Sequence, residues 1–275
     1  TAGSAPRIQL GLAPSLVNNI LPWAVVNGAD FASYVPYATL NGVASGGLGA
    51  LNQAGYAGYS QTLTGTLAGV LSSASSNLKI NAGTVNFTGG PFAGGTLLLS
   101  SLNLATTGVG TLAFSNSSDL INLTSGGLLR SGNFAWSLGS MLDNGLLTAG
   151  GTAVSGTVSL YLYNNQNVLT LNSRVVNNPL GAAVQLVVAG PNNAPVLLTS
   201  GSNSYSGGTV VDGASLVVAA TGNVPAGGIR LYGGSLAQVL GGAIAAANTV
   251  TLVGNANLSL VGSNTLAGLV LSNLG

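Results

Sequence analysis

This chain of 275 residues has 43 glycines, five basic and four acidic residues, and no histidine or cysteine; only 3% of it is charged, against roughly a quarter of an ordinary globular domain. So neutral a surface excludes the basic patch that nucleic-acid binding requires, and equally an acidic solvating tail. The absence of histidine and cysteine excludes Ser-His-Asp and Cys-His catalysis and would leave zinc to be held by carboxylates alone.

What remains for the surface is Ser, Thr, Asn and Gly, a composition in which identical polar residues can hydrogen-bond along a stack. Hydrophobic residues make up 47% of the chain, enough for a substantial core, but they fall in runs of about four to seven before a Gly, Asn or Pro. None approaches the roughly eighteen residues that span a bilayer, and no transmembrane helix is expected. Thr1 opens the chain without the charged and apolar regions of a signal peptide, and LVLSNLG closes it within a strand pattern, so both ends read as cuts in a longer stack. The lack of cysteine fits a secreted bacterial product.

Residues 1–77 differ from the rest. They carry Trp23, Phe31, Tyr34, Tyr37, Tyr56 and Tyr59, punctuated by Pro22 and Pro36. Residues 38–71, rich in Ala, Gly, Ser and Leu, are expected to be loop with a short helical turn. The whole segment reads as an irregular insertion or cap on the flank of the remaining chain, with Trp23 and the tyrosines supplying packing area that glycine lacks.

From residue 78 a strand rhythm takes over, in TLLLSSLNL, VSLYLYNN, VQLVVAG and SLVVAATG. GGLLRSG at 126–132 is echoed by NGLLTAG at 144–150. More tellingly, GGTVVDGASL at 207–216 returns as GGIRLYGGSL at 227–236, and more loosely as NTVTLVGNANL at 248–258. A period of roughly twenty residues holding two short apolar runs is a solenoid signature. Residues 78–275 are therefore expected to form an all-β parallel solenoid of about nine coils, each pairing with its neighbours about 4.8 Å away. Leu216 and Val218 should point one way and Val217 the other, with Leu216, Leu236 and Leu258 stacked as an internal ladder. Gly213, Gly233 and Gly254 fall at corners that need positive φ or close approach.

The string NSYSGGTVVDGASLVV at 203–218 resembles the passenger-associated repeat of bacterial autotransporter-type proteins. Asn203, Tyr205, Gly207, Gly208, Thr209, Asp212, Gly213 and Leu216 match that pattern, and Gly227, Gly228, Gly233, Leu236, Gly254 and Leu258 stand at the corresponding places of the later copies. ILPWAVVNGADFASY and LTSGGLLRSG are similar to segments of very large surface proteins of the same type. The resemblance is close over about twenty residues and diffuse elsewhere. It implies a right-handed parallel β-helix, exported and displayed at the cell surface; the membrane barrel of that family is not in this chain, so the resemblance does not extend to autotransport by the chain itself.

Chemistry is sparse. Asp119 and Asp143 are the one candidate carboxylate pair, able to flank a glycosidic bond from neighbouring coils, but SNSSD and LDNG are turn-forming strings that put both in solvated corners instead. No glycine loop carries a P-loop lysine, and Lys79 follows none; no GGxGxD calcium repeat occurs. Asn86, Asn116, Asn122 and Asn257 head Asn-x-Ser/Thr triplets that so Asn- and Thr-rich a chain produces by chance. Tyr161 and Tyr163 share a strand face, as packing partners or as a surface for sugars. The expectation is a chain with no catalytic, cofactor or metal site, serving as an extracellular or cell-surface fibre, stalk or matrix element. It would associate head to tail with copies of itself, or with neighbouring repeats of the same polypeptide, into a filament. The alternative is an adhesin or carbohydrate-binding module for a surface polysaccharide, for which a flat aromatic-lined groove on the flank would speak.

Overall fold

The computed structural model describes residues 8–40, 43–64, 70–86 and 95–272. The side chains of Tyr37 and Asn86, residues 41–42 and 65–69 of the 38–71 stretch, and both chain ends lie outside the described ones. The fold is all-β, a solenoid of stacked parallel strands with no helix among the described residues.

Alternation makes the strands. In Ser215–Val218 and Ser235–Gln238 every second residue is buried, and Thr209–Asp212 and Ile229–Tyr232 follow the same rule. One coil has only one such apolar face and cannot cover it alone, so coils pair edge to edge. The larger sheet runs in single file through Gln61–Leu63, Asn77–Ile80, Thr96–Leu104, Leu120–Arg130, Thr157–Asn164, Ala183–Ala189, Thr209–Asp212, Ile229–Tyr232, Thr249–Val253 and Gly268–Ser272. It thus begins at Gln61, upstream of the residue 78 at which the sequence places the solenoid. A second sheet stacks Thr84–Asn86, Gly110–Ala113, Trp136–Leu138, Leu169–Leu171, Val196–Leu198, Ser215–Val218, Ser235–Gln238 and Asn257–Ser259. A short third face adds Leu146–Ala149 and Arg174–Val175, then shrinks to the single bridge Val224–Ile244.

The eight strands of the second sheet make about seven turns, and coil length varies along the stack. Leu216 pairs with Leu236, twenty residues on, but Trp136 pairs with Leu169 and Gly127 with Tyr161, thirty-three and thirty-four residues on. The eighteen-residue echo is not a rung either: Leu128 and Leu129 face Leu162 and Tyr163, whereas Leu146 and Leu147 face Leu120 and Ile121.

The core is a set of columns. Leu78, Leu102, Leu128, Leu162, Val188, Val211, Leu231, Leu252 and Leu271 are paired one to the next along the larger sheet. In the second sheet Leu216, Leu236 and Leu258 form the ladder read from the repeat, and it continues back through Val196, Leu169 and Trp136 to Gly110. Gly110 is required there, since a Cβ would stand 1.6 Å from the indole nitrogen of Trp136.

Within the 38–71 stretch expected to be loop, residues 38–40 and 43–50 are strand. Leu21–Val26, Asp30–Leu40 and Val43–Ala50 form an antiparallel sheet, its first hairpin turning on Asn27 and Gly28, both at positive φ (54° and 66°), as short hairpin loops require. This sheet packs on the outer side of the solenoid. Ile20, Phe31 and Leu51 bury themselves against Leu129, with Tyr59 and Tyr163 at the edge, and Gly127 admits Phe31, whose ring would lie 3.0 Å from a Cβ at that position. Polar groups pin the contact: Asn103 donates to Ala29 O at 3.1 Å and to the Tyr59 hydroxyl at 2.7 Å, and Lys79 meets Asp30 at 3.1 Å, the only ion pair among the described residues. Packing area therefore comes from Phe31, Tyr34 and Tyr59, whereas Trp23, expected to share the task, is 62% exposed.

Leu162 lies mid-column and is fully buried, while Met141 is exposed. Leu162→Ala should lower unfolding stability by about 2–5 kcal/mol in urea titrations, and Met141→Ala should change it by less than about 0.5 kcal/mol.

Candidate functional site

The repeat motif resolves into coil-to-coil staples. Asn203 accepts from Val175 N at 2.8 Å and donates to Ser200 O at 2.9 Å and Asn223 O at 3.0 Å, while Asn223 returns a bond to Asn203 O at 3.1 Å. Tyr205 is wholly buried and shares a 2.8 Å hydrogen bond with Thr209. Gly207 and Gly208 lie directly on the neighbouring backbones: a Cβ at Gly207 would sit 2.7 Å from Val184 O, and one at Gly208 2.4 Å from Gly227 O. Gly227 meets Gly208 N at 2.6 Å in the same sense, and Gly228 has a φ of 85°. Gly213, Gly233 and Gly254 repeat a φ of 61°, 60° and 65°, with no atom closer than 3.8 Å to a would-be Cβ. Conformation alone, not crowding, holds glycine at these three corners.

The two candidate carboxylates have no partner in common. Asp119 is 4% exposed and accepts from Asn116 N at 2.8 Å, closing its own turn. Asp143, at a φ of 57°, accepts from the hydroxyls of Ser200 at 2.5 Å and Ser202 at 3.2 Å. Asn122, one of the triplet asparagines, is buried and exchanges bonds with Gly151. Arg130 is fully buried among apolar columns, stacked between Leu104 and Asn164 and donating to the carbonyls of Leu104 and Phe134. Burial pushes its guanidinium down to about 10, so it stays charged at neutral pH. Among the described residues no group of three Asp, Glu, His or Cys side chains gathers at one place.

The surface feature that offers chemistry is a cleft at the seam between the N-terminal sheet and the solenoid. Two adjoining depressions, about 420 and 190 Å³, share Pro22, Trp23 and Tyr161. The first is walled by hydroxyls, among them Ser15, Thr124 and Ser159; the second by Tyr163, Val187, Ala189 and Asp212. Register explains its shape. Leu160 and Leu162 point into the core and turn Tyr161 and Tyr163 outward. On the next coil Tyr161 pairs with Val187 and Tyr163 with Ala189, and on the coil after that Ala189 pairs with Asp212. Two large rings are thus followed by small side chains and then an acid, which leaves a hollow one coil wide. Of the four aspartates, Asp30 pairs with Lys79, Asp119 with Asn116 and Asp143 with two serines; Asp212 is exposed and makes no side-chain hydrogen bond or ion pair among the described residues. A third groove of about 340 Å³ continues along the same flank over Gly207, Gly208, Gly227 and Gly228 to Arg230. Tyr161 and Tyr163 were visible in the sequence as a shared face; their meeting with Trp23 and Asp212 was not, because residues so far apart carry no common spacing.

Comparison with family models, with curated proteins and with solved structures gives no match.

Gly208→Ala should destabilise the solenoid by more than about 3 kcal/mol, since backbone must move, whereas Gly233→Ala should cost about 1–2 kcal/mol of left-handed strain; equal costs in urea titrations would contradict this reading of the two glycine classes.

Desolvation raises the ionisation of Tyr205 and Tyr59 well above the usual tyrosine value of 10. Above pH 10 the unfolded chain sheds protons that the folded chain keeps, so stability falls by about 1.4 kcal/mol per pH unit for each such tyrosine. Arg130 opposes this from about pH 10 upward, because its folded form releases the proton first. Two tyrosines outweigh one arginine. Urea midpoints should drop above pH 10, and Tyr205→Phe should flatten the drop; a decline of equal slope in the variant would refute the assignment.

Proposed function

We propose that this chain is a structural β-solenoid of the cell exterior, a rigid element of a fibre, stalk or matrix whose coils propagate end to end. The observation that carries the reading is the outermost described strand, Gly268–Ser272. Its inner neighbour is Thr249–Val253 and its outer edge is unpaired among the described residues. Leu269, Val270 and Leu271 are 56%, 47% and 74% exposed, and Leu271 stands in the column that begins at Leu78. A further coil laid on this edge pairs the free backbone groups and extends the column, whether the same polypeptide or a second copy supplies it.

Charge does not oppose such stacking. Lysines are the common deterrent at sheet edges, and the single Lys79 is engaged with Asp30. A net charge of +1 adds little long-range repulsion. Placement outside the cell rests on the cysteine-free, Ser/Thr/Asn-rich surface and on the resemblance of residues 203–218 to surface-displayed repeats. The aromatic cleft favours a second reading, adhesion, on a different part of the molecule.

Light scattering and negative-stain micrographs across protein concentration and salt test the stacking. The parent protein should form rods longer than a single solenoid, with little dependence on salt. Leu269→Lys combined with Leu271→Lys should leave it monomeric. A parent that stays monomeric at millimolar concentration would overturn end-to-end association of separate copies.

A further inference from the structure

We infer that the cleft beside Trp23 binds a linear β-linked polysaccharide whose pyranose rings carry equatorial hydroxyls, laid along the solenoid axis across Trp23, Tyr161 and Asp212. This deepens the adhesion reading and does not depend on coil stacking. A protein that stacks without binding, or binds without stacking, separates the two.

Trp23 is the first support. At 62% it is the most exposed aromatic side chain among the described residues, and it stands on Leu21–Val26, the outer strand of the N-terminal sheet. A tryptophan left in water forgoes the stabilisation of burying its apolar surface, and here it borders a cleft with two tyrosines. Aromatic faces are electron-rich and apolar, and they match the positively polarised C–H face of a sugar ring. Only pyranoses with equatorial hydroxyls offer such a face uninterrupted. The second support is the division of polar groups. The hydroxyls of Thr124 and Ser159 lie on one side of the rings and the unpartnered carboxylate of Asp212 on the other, so that hydrogen-bonding groups surround an apolar platform, as in small-molecule sites generally.

Shape supplies the third support. The depressions are contiguous through Pro22, Trp23 and Tyr161, and the groove over Val210 and Arg230 carries the same flank forward. Tyr161, Val187, Val210 and Arg230 form one outward column with one residue per coil. Coils recur about every 4.8 Å, close to the advance of one sugar in an extended β-linked chain. A curved α-linked chain does not keep that register.

The test is titration of the full chain with cellohexaose and, separately, maltohexaose, by calorimetry and by tryptophan fluorescence. Cellohexaose should bind with a Kd on the order of 0.1 mM and quench or shift Trp23 emission, and maltohexaose should bind at least about tenfold more weakly. Trp23→Ala and Tyr161→Ala should each weaken cellohexaose binding about tenfold or more, and Asp212→Asn by about threefold or more. Phe134→Ala, an exposed aromatic away from the cleft, should leave it unchanged. Because Trp23 is exposed, its variant should keep the parent urea midpoint; Trp23→Phe, retaining a ring, should restore part of the binding. No binding of cellohexaose at about 5 mM, equal binding of the two hexaoses, or affinity untouched by Trp23→Ala would each overturn the proposal.

Discussion

The amides and carbonyls of each coil find their partners one coil away, and the remainder of the molecule depends on keeping that pairing in register. In a parallel ladder a slip of one residue turns every inward side chain to the surface. The column from Leu78 to Leu252 forbids such a slip, since it would exchange aliphatic side chains for Lys79, Asn103, Tyr161 and Arg230. Hydrogen bonding and burial therefore select the same pairing, and neither alone would fix it.

Corners are where a coil leaves the ladder, and there the backbone needs substitutes. Asparagine provides them. Asn122, Asn144, Asn178, Asn203, Asn223 and Asn248 each bond main-chain groups of another coil or corner. An uncharged side chain with both donors and an acceptor can satisfy buried backbone groups without the desolvation penalty that an ion carries. This accounts for a chain that is 3% charged and yet rich in polar residues. Arg130 is the exception, a buried cation whose Nε has no hydrogen-bond partner among the described residues.

How much was legible in the sequence depended on coil length. Where coils are twenty to twenty-two residues long, from Leu216 through Leu236 to Leu258, the repeat, its inward ladder and its corner glycines stand out at fixed spacing. In the middle of the chain the coils lengthen to thirty-three and thirty-four residues, so the period read from the C-terminal repeats does not carry through, and the echo of GGLLRSG in NGLLTAG does not mark paired strands. The N-terminal hairpin was signalled by Asn27-Gly28 between apolar runs, a turn signature that weighs more than the Ala/Gly-rich composition around it. The cleft was beyond sequence reading. Trp23, Tyr161 and Asp212 meet only because the N-terminal sheet docks on the flank and the register sets Tyr163, Ala189 and Asp212 side by side.

Cross-linking tests the register most directly, and a chain without cysteine suits it. Val217 pairs with Ala237, and Ala237 with Ser259, all on the outer side of the second sheet. Residues on adjacent coils lie about 4.8 Å apart, within the span a disulfide bridges, and those two coils apart lie at about 9.6 Å, beyond it. In dilute protein under mild oxidation, Val217→Cys with Ala237→Cys should close an intramolecular disulfide. Val217→Cys with Ser259→Cys should remain reduced. Closure of the second pair in preference to the first would contradict the stacked, in-register solenoid.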